Sequence, residues 1–147
     1  MIMETDVKNS RYYLNRELSW LQFNKRVLQE AVDTSNPLLE KLKFLAITSS
    51  NLDEFFMIRV AGLKHQKENG VKRRDIANMT PTEQLENISD ACQKLVAQQY
   101  MHLKGILKEL ETEGLVFIKP ADADERQKHW MGNYFEREIF PVVTPMA

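Results

Sequence analysis

The best-marked feature of the sequence is a long helix that begins after Thr80 and ends near Gly114. Thr80 and Glu83 form a capping box around Pro81, whose missing N–H is not needed in the first turn of a helix. A stripe of largely apolar side chains then recurs at intervals of three and four residues, at positions 85, 88, 92, 95, 99, 102, 106 and 110. A helix over residues 81–113 is about 50 Å long, too long for one short partner to cover. The pattern therefore predicts a helical bundle that this helix spans.

Two shorter amphipathic helices precede the long one. Ser19 and Gln22 fit an S-x-x-Q capping box, so we expect the first helix to begin near Trp20, with Asn24 mainly outside. Its predicted inward face consists of Trp20, Phe23, Val27, Leu28 and Ala31. The Asn-Pro pair at residues 36–37 supplies a cap and a first helical residue for the next helix. Because the connection is short, we expect the two helices to be antiparallel neighbours.

Small polar residues at 48–51 interrupt the apolar pattern of this second helix. Such side chains compete for backbone hydrogen bonds, which predicts a kink or a fresh helix N-terminus. Ser50 with Asp53, or Asn51 with Glu54, fits a capping pair. A helix N-terminus also presents free N–H donors, so the break can hold a polar ligand as well as start a helix. The residues alone leave both roles open.

The pattern changes after the long helix. Residues 115–118 are β-branched and aromatic and precede a proline, which predicts a strand. Asp122 and Glu125 form a capping pair that opens a predicted helix with Trp130 and Tyr134 directed inward, and residues 140–145 form a second extended segment.

The predicted fold class is therefore mainly α. An antiparallel bundle of long helices occupies residues 1–114, and the strand-helix-strand start of an α/β head domain occupies residues 115–147. Such a unit has nothing to complete its sheet. We therefore expect a truncated second domain, and the 147 residues to be part of a longer protein.

Composition narrows the possible partners and the compartment. Lys and Arg total 20 against 21 Asp and Glu, so the net charge of -1 gives no bulk attraction to nucleic acid or to an anionic membrane. The one cysteine, Cys92, cannot form an internal disulfide, which fits a reducing compartment. The sequence has no apolar run near the roughly 20 residues of a membrane span. We expect a cytoplasmic protein, with peripheral membrane association at most.

Residues that could carry catalysis are sparse. His65, His102 and His129 are far apart, and none has a second histidine or cysteine at metal-ligand spacing. The sequence has neither a Walker-type glycine loop nor a G-x-S-x-G motif. We therefore predict no catalytic or metal-binding residue within these 147 residues.

Two ordered motifs carry a family resemblance. They are NRELSWLQFN followed by RVL, over residues 15–28, and SNLDEFFMIRVAGL, over residues 50–63. The chain resembles the N-terminal domain of the long-chain polyphosphate kinase family, whose members build inorganic polyphosphate from the terminal phosphate of ATP. The ending, over residues 134–145, is similar to the family's entry into its head domain.

The resemblance implies a helical N-terminal domain, a dimer formed largely by the head domain, and a Mg²⁺-dependent reaction through a phosphohistidine. That histidine belongs to the C-terminal part of the family's chain, so none of the three histidines here takes its role. The N-terminal domain closes the nucleotide pocket over adenine, and the asparagine of the S-N-L-D-E-F motif makes the contact. That position is Asn51, whose amide offers the donor and acceptor that suit a purine edge. The implied substrates are ATP, ADP and inorganic polyphosphate, with weak or no ATP binding by these residues alone.

Two other functions stay open. A helical protein–protein interaction module predicts exposed apolar surface on helix 81–113 and association that ATP does not alter. A basic cluster over residues 64–74 predicts salt-dependent binding of polyphosphate or nucleic acid, lost when Lys72, Arg73 and Arg74 are neutralised.

Overall fold

The structure, a computed structural model, describes residues 9–144. The chain divides into two compact units, with the boundary between Leu110 and Glu111. The helices of the first unit are α1 (Arg16–Glu30), α2 (Leu38–Phe55), a π-helical turn (Phe56–Val60), α3 (Ala61–Glu68) and α4 (Pro81–Thr112), after a 3-10 turn at Ser10–Tyr12. The prediction of a mainly helical fold is confirmed. The predicted domain boundary after residue 114 stays a prediction.

Helix α1 begins four residues earlier than predicted. Its N-cap is Asn15, whose Oδ1 accepts a hydrogen bond from the backbone N–H of Leu18 at 2.9 Å. Ser19 and Gln22 therefore lie inside the helix, and the predicted capping box is wrong. The helix begins after Asn15 and not after Ser19 because the Asn15 side chain also bonds to two residues of the later chain, Asp75 and Gln84.

The predicted break at residues 48–51 is also wrong. The helix continues through these residues, and α2, the π-helical turn and α3 follow one another without interruption from Leu38 to Glu68. The hydroxyl of Thr48 donates to the carbonyl oxygen of Phe44 at 2.8 Å, one turn back, so it bonds to the helix without interrupting it. The side-chain amide of Asn51 bonds to α1 instead of capping a helix. Helix α2 starts at Leu38, one residue later than predicted.

Helix α4 agrees with the prediction. The backbone N–H of Thr80 donates to Glu83 Oε2 at 2.7 Å, and the N–H of Glu83 donates to Thr80 Oγ1 at 3.3 Å, which confirms the capping box. The preceding helix stops where expected, because Gly70 has a φ of 69°, in the left-handed region that glycine tolerates.

Helix α2 runs antiparallel to α1, and α4 runs antiparallel to α2. Trp20 of α1 stacks on Phe55, whereas Asn24, one turn later in α1, bonds to Thr48 and Asn51, earlier in α2. The start of α4 lies beside the π-helical turn, and Gln99, near its middle, donates to the carbonyl oxygen of Leu45 at 2.9 Å. The core between the three helices consists of Leu21, Leu28, Ala31, Leu45, Leu52, Phe55, Val60, Leu63, Ile88, Cys92, Leu95, Ile106 and Leu110.

The second unit differs most from the prediction. Over residues 111–144 it contains no strand, and residues 115–118 are exposed backbone without a pairing partner, so the predicted first strand is wrong for these residues. Helix α5 (Glu125–Tyr134) is present, but its capping box joins Asp124 and Gln127.

The side chains and the end of this unit also depart from the prediction. Trp130, predicted to point inward, is 63% exposed and stacks on Tyr134 with ring centroids 5.2 Å apart. A π-helical turn (Phe135–Ile139) follows α5, and a 3-10 turn (Phe140–Val142) replaces the start of the second extended segment. The last residue of that segment, at position 145, lies outside the described residues.

Candidate functional site

Polar side chains meet where α1 crosses α2. Asn24, predicted to lie on the outer face of α1, is completely buried. Its Nδ2 donates to the backbone carbonyl oxygen of Thr48 at 3.1 Å, and its Oδ1 accepts from Nδ2 of Asn51 at 2.9 Å. These two bonds satisfy a buried amide that would otherwise be costly to desolvate.

The bonds also determine which way each amide faces. A carbonyl oxygen only accepts, so Asn24 must turn its amino group toward Thr48 and its oxygen toward Asn51. Asn51 must then turn its own amino group toward Asn24. Its Oδ1 has no hydrogen-bond partner among residues 9–144, and Asn51 is only half-buried. The site therefore presents a free acceptor at its open edge.

This edge lines a shallow cavity of about 200 Å³ between α1 and the α2–π-helical segment. Its walls are Trp20, Phe23, Asn51, Glu54, Phe55, Ile58 and Arg59. The rings of Trp20 and Phe55 stack with centroids 4.5 Å apart and an angle of 7° between their planes. A neighbouring cavity of about 240 Å³ shares three of these residues and adds the guanidinium of Arg16. Aromatic side chains and an amide edge suit a planar, hydrogen-bonding ligand. The charges of Arg16 and Arg59 are matched by the carboxylates of Glu17 and Glu54, which line the same two cavities.

A larger apolar groove lies on a different side of the same unit. Its two parts, of about 1060 and 470 Å³, both include Phe56 and Val96. Lys64 and Lys67 line the larger part, together with Cys92. Burial raises the pKa of the Cys92 thiol, which lowers its thiolate fraction and its nucleophilicity.

The basic cluster does not act as one free group. Arg74 forms an ion pair with Glu83, at 3.0 Å between Nη1 and Oε2, and also donates to the carbonyl oxygen of Asn78. This ion pair ties one cation of the basic cluster to the capping box of α4. The proposal of a polyanion contact there accordingly rests on the other four cations of the cluster, all exposed: Lys64, Lys67, Lys72 and Arg73.

The three histidines occupy separate places. His65 contacts Asn69, the C-cap of α3, at 3.2 Å, and His129 contacts Asn133, one turn later in α5, at 3.1 Å. His102 is half-buried on α4. Among residues 9–144 there is no group of three His, Cys, Asp or Glu side chains arranged to hold a metal ion. The described helices include none long and apolar enough to cross a membrane.

Residues 13–118, which contain the whole candidate site, match the family model for the polyphosphate kinase N-terminal domain. The chain belongs to this family. It is 48% identical over 143 residues to polyphosphate kinase of Synechocystis and 49% identical over 144 residues to that of Bacillus anthracis, covering 97% of this chain and 20% of each relative. Polyphosphate kinase 1 of Chlorobaculum tepidum is 47% identical over 137 residues, covering 92% of this chain and 20% of that protein. The chain thus spans about a fifth of the length of the curated relatives it matches.

The residue that sequence reasoning missed in this polyphosphate kinase domain is Asn24. It lies three residues after Leu21 and four before Leu28, both of which are buried, so its helical position is a core position. A polar residue on a core stripe signals a specific buried hydrogen bond. The prediction placed the stripe one residue away, on Phe23, which is half-exposed and lines the cavity.

Proposed function

We propose that this chain is the nucleotide-closing N-terminal part of a polyphosphate kinase, which reversibly transfers the terminal phosphate of ATP to inorganic polyphosphate. Identities near 48% over nearly the whole chain, to relatives named polyphosphate kinase, support this proposal. The phosphohistidine, the Mg²⁺ site and most phosphate-binding groups then belong to other parts of the complete enzyme. Residues 115–147 are the start of its head domain, through which it dimerises, and the enzyme works in the cytoplasm.

The proposed contact of this domain with the nucleotide is Asn51. The observation that carries it is the free Oδ1 of a half-buried amide at the edge of an aromatic cavity. Asn51 Oδ1 can accept a hydrogen bond from the exocyclic amino group of adenine, and the second Nδ2 hydrogen of Asn51 can reach a ring nitrogen. Trp20 and Phe23 supply apolar surface for the base. Because no phosphate-binding loop is present, we expect the isolated chain to bind ATP weakly or not at all.

Steady-state polyphosphate synthesis by the complete enzyme with Asn51→Ala tests this role. Loss of one hydrogen bond of about 1–2 kcal/mol raises the KM for ATP about 5- to 30-fold. The matched control is Asn87→Ala, on the exposed face of α4, where the side chain only donates to a backbone carbonyl oxygen. A KM for ATP equal to that of the control enzyme would show that Asn51 does not contact the nucleotide. A thermal melt of each variant reports any structural loss separately.

A second candidate function is the interaction module, which the apolar groove favours. Tyr100 and Met101 of α4 are more than half exposed, and Phe56 contributes to both parts of the groove. Its occupant would be a partner protein, and the case to test is a second copy of this chain. Sedimentation equilibrium would then show concentration-dependent association that ATP does not change and that Phe56→Ser abolishes. A monomer at all concentrations would exclude this function.

A further inference from the structure

We propose that Asn24 is a positioning residue that holds the Asn51 amide in one orientation and thereby makes the site select a 6-amino purine over a 6-keto purine. This inference rests on the proposed function, because it needs Asn51 at the base. Asn24 itself has no exposed surface and lies behind Asn51, so it acts only through that residue.

The orientation is transmitted through two hydrogen bonds. The carbonyl oxygen of Thr48 belongs to the backbone of α2 and cannot rotate, so it determines the direction of the Asn24 amide. The oxygen of Asn24 in turn determines the direction of the Asn51 amide. Reversing either amide alone brings two oxygens face to face and breaks a bond to a fully buried group. The low dielectric of the surroundings strengthens this penalty.

The orientation matters because adenine and hypoxanthine differ at this edge. Adenine presents an amino donor at position 6 with an acceptor nitrogen beside it, whereas hypoxanthine presents a keto acceptor with an N–H beside it. An outward Oδ1 accepts from the amino group and opposes the keto oxygen. A site with fixed polar groups rejects the wrong partner more strongly than a site whose groups can turn.

Asn24→Leu tests the inference, since leucine has the same number of side-chain heavy atoms, branched in the same way, and neither donates nor accepts. With nothing to direct it, the Asn51 amide can rotate by half a turn and offer Nδ2 to a keto oxygen. The measurement is kcat/KM of the complete enzyme for ATP, for inosine triphosphate and for purine riboside triphosphate, which has no group at position 6. We expect the preference for ATP over inosine triphosphate to fall at least about tenfold, with purine riboside triphosphate changing least.

The matched control is Gln84→Leu, which removes a second buried amide at a different place in the same unit. Gln84 is 5% exposed, and its Oε1 accepts from Asn15 Nδ2 at 2.9 Å. This variant loses stability in the same way but has no link to Asn51, so its preference for ATP should equal that of the unmodified enzyme. Asn24→Ala, which cannot clash, repeats the measurement if Asn24→Leu does not fold.

The outcomes separate the two proposals. If Asn51→Ala raises the KM for ATP while both Asn24 variants keep the full preference for ATP, the nucleotide contact stands and the orienting role of Asn24 is overturned. If Asn51→Ala leaves the KM unchanged, the proposed function loses its contact residue. A reduced preference in the Asn24 variants and an unchanged one in Gln84→Leu supports the inference.

Discussion

Replacing Asn15 by alanine should destabilise the first unit far more than its position at a helix start suggests. The side chain caps α1 through Oδ1, and its Nδ2 donates to Asp75 Oδ2 at 2.7 Å and to Gln84 Oε1 at 2.9 Å. Asp75 also accepts from the backbone N–H of Met79, at 2.8 Å, so this one asparagine ties the loop before α4 to the starts of both helices.

The magnitude follows from the three bonds. Loss of an N-cap costs about 1 kcal/mol. Loss of the bond to a carboxylate, together with an unpaired oxygen on the buried Gln84, costs about 2 kcal/mol more, given that both bonds share one amino group. We therefore expect the free energy of unfolding to fall by about 3 kcal/mol, which lowers the melting temperature by about 10 °C for a unit of this size.

Urea unfolding of the 147-residue chain, followed by circular dichroism, measures the loss. Asn87→Ala is the control, because its exposed amide bonds only to a neighbouring carbonyl oxygen, and we expect a change within about 0.5 kcal/mol. A loss below about 1 kcal/mol in Asn15→Ala would mean that this residue is only a helix cap. The reasoning about the loop would then be wrong.

Two further predictions concern local features. Hydrogen bonds from the backbone N–H and then the hydroxyl of Thr80 hold the pKa of Glu83 below its ordinary value, so the stabilisation they give is present at neutral pH and is lost as the pH falls through that lowered pKa. The melting temperatures of the unmodified chain and Glu83→Gln should therefore differ at neutral pH and converge once the pH has fallen below that lowered pKa, and a constant difference would contradict this. Gly105→Ala, inside α4 with open space at the new Cβ, should stabilise the chain by about 1 kcal/mol, whereas Gly70→Ala, at φ 69°, should destabilise it by about the same amount. Equal changes in the free energy of unfolding of the two variants, measured by chemical denaturation, would refute this argument from backbone conformation.

The sequence predicted what is determined locally. The capping box at Thr80 and Glu83 and the stop at Gly70 involve residues within one turn of each other, so their pattern was sufficient. The start of α1 was predicted wrongly because Asn15 draws part of its bonding from Asp75 and Gln84, which are 60 and 69 residues away. No local pattern contains those partners.

The candidate site was predicted only in part. The resemblance pointed to Asn51, but the pattern of polar residues suggested a helix break that does not exist. Thr48 can bond one turn back along its own helix, and this choice is invisible in composition. Asn24 was missed because the predicted stripe ran through Phe23, although the spacing from Leu21 and Leu28 marks position 24 as a core position. The strand predicted at residues 115–118 failed because β-propensity acts only where a partner strand is available.

The π-helical turn also sets the rotational phase of the chain that follows Phe55. Buried residues of α2 follow intervals of three and four up to Phe55, but the next buried residue is Val60, five positions later. A regular helix would turn Ile58 or Arg59 into the core, whereas both are exposed and line the cavity. The turn accommodates one extra residue, so each later residue takes the angular position that the residue before it would have in a regular helix, a shift of about 100°. Deleting one residue there would let a regular helix form, with Val60 and Leu63 still at core positions, because the interval from Phe55 to Val60 would fall from five residues to four.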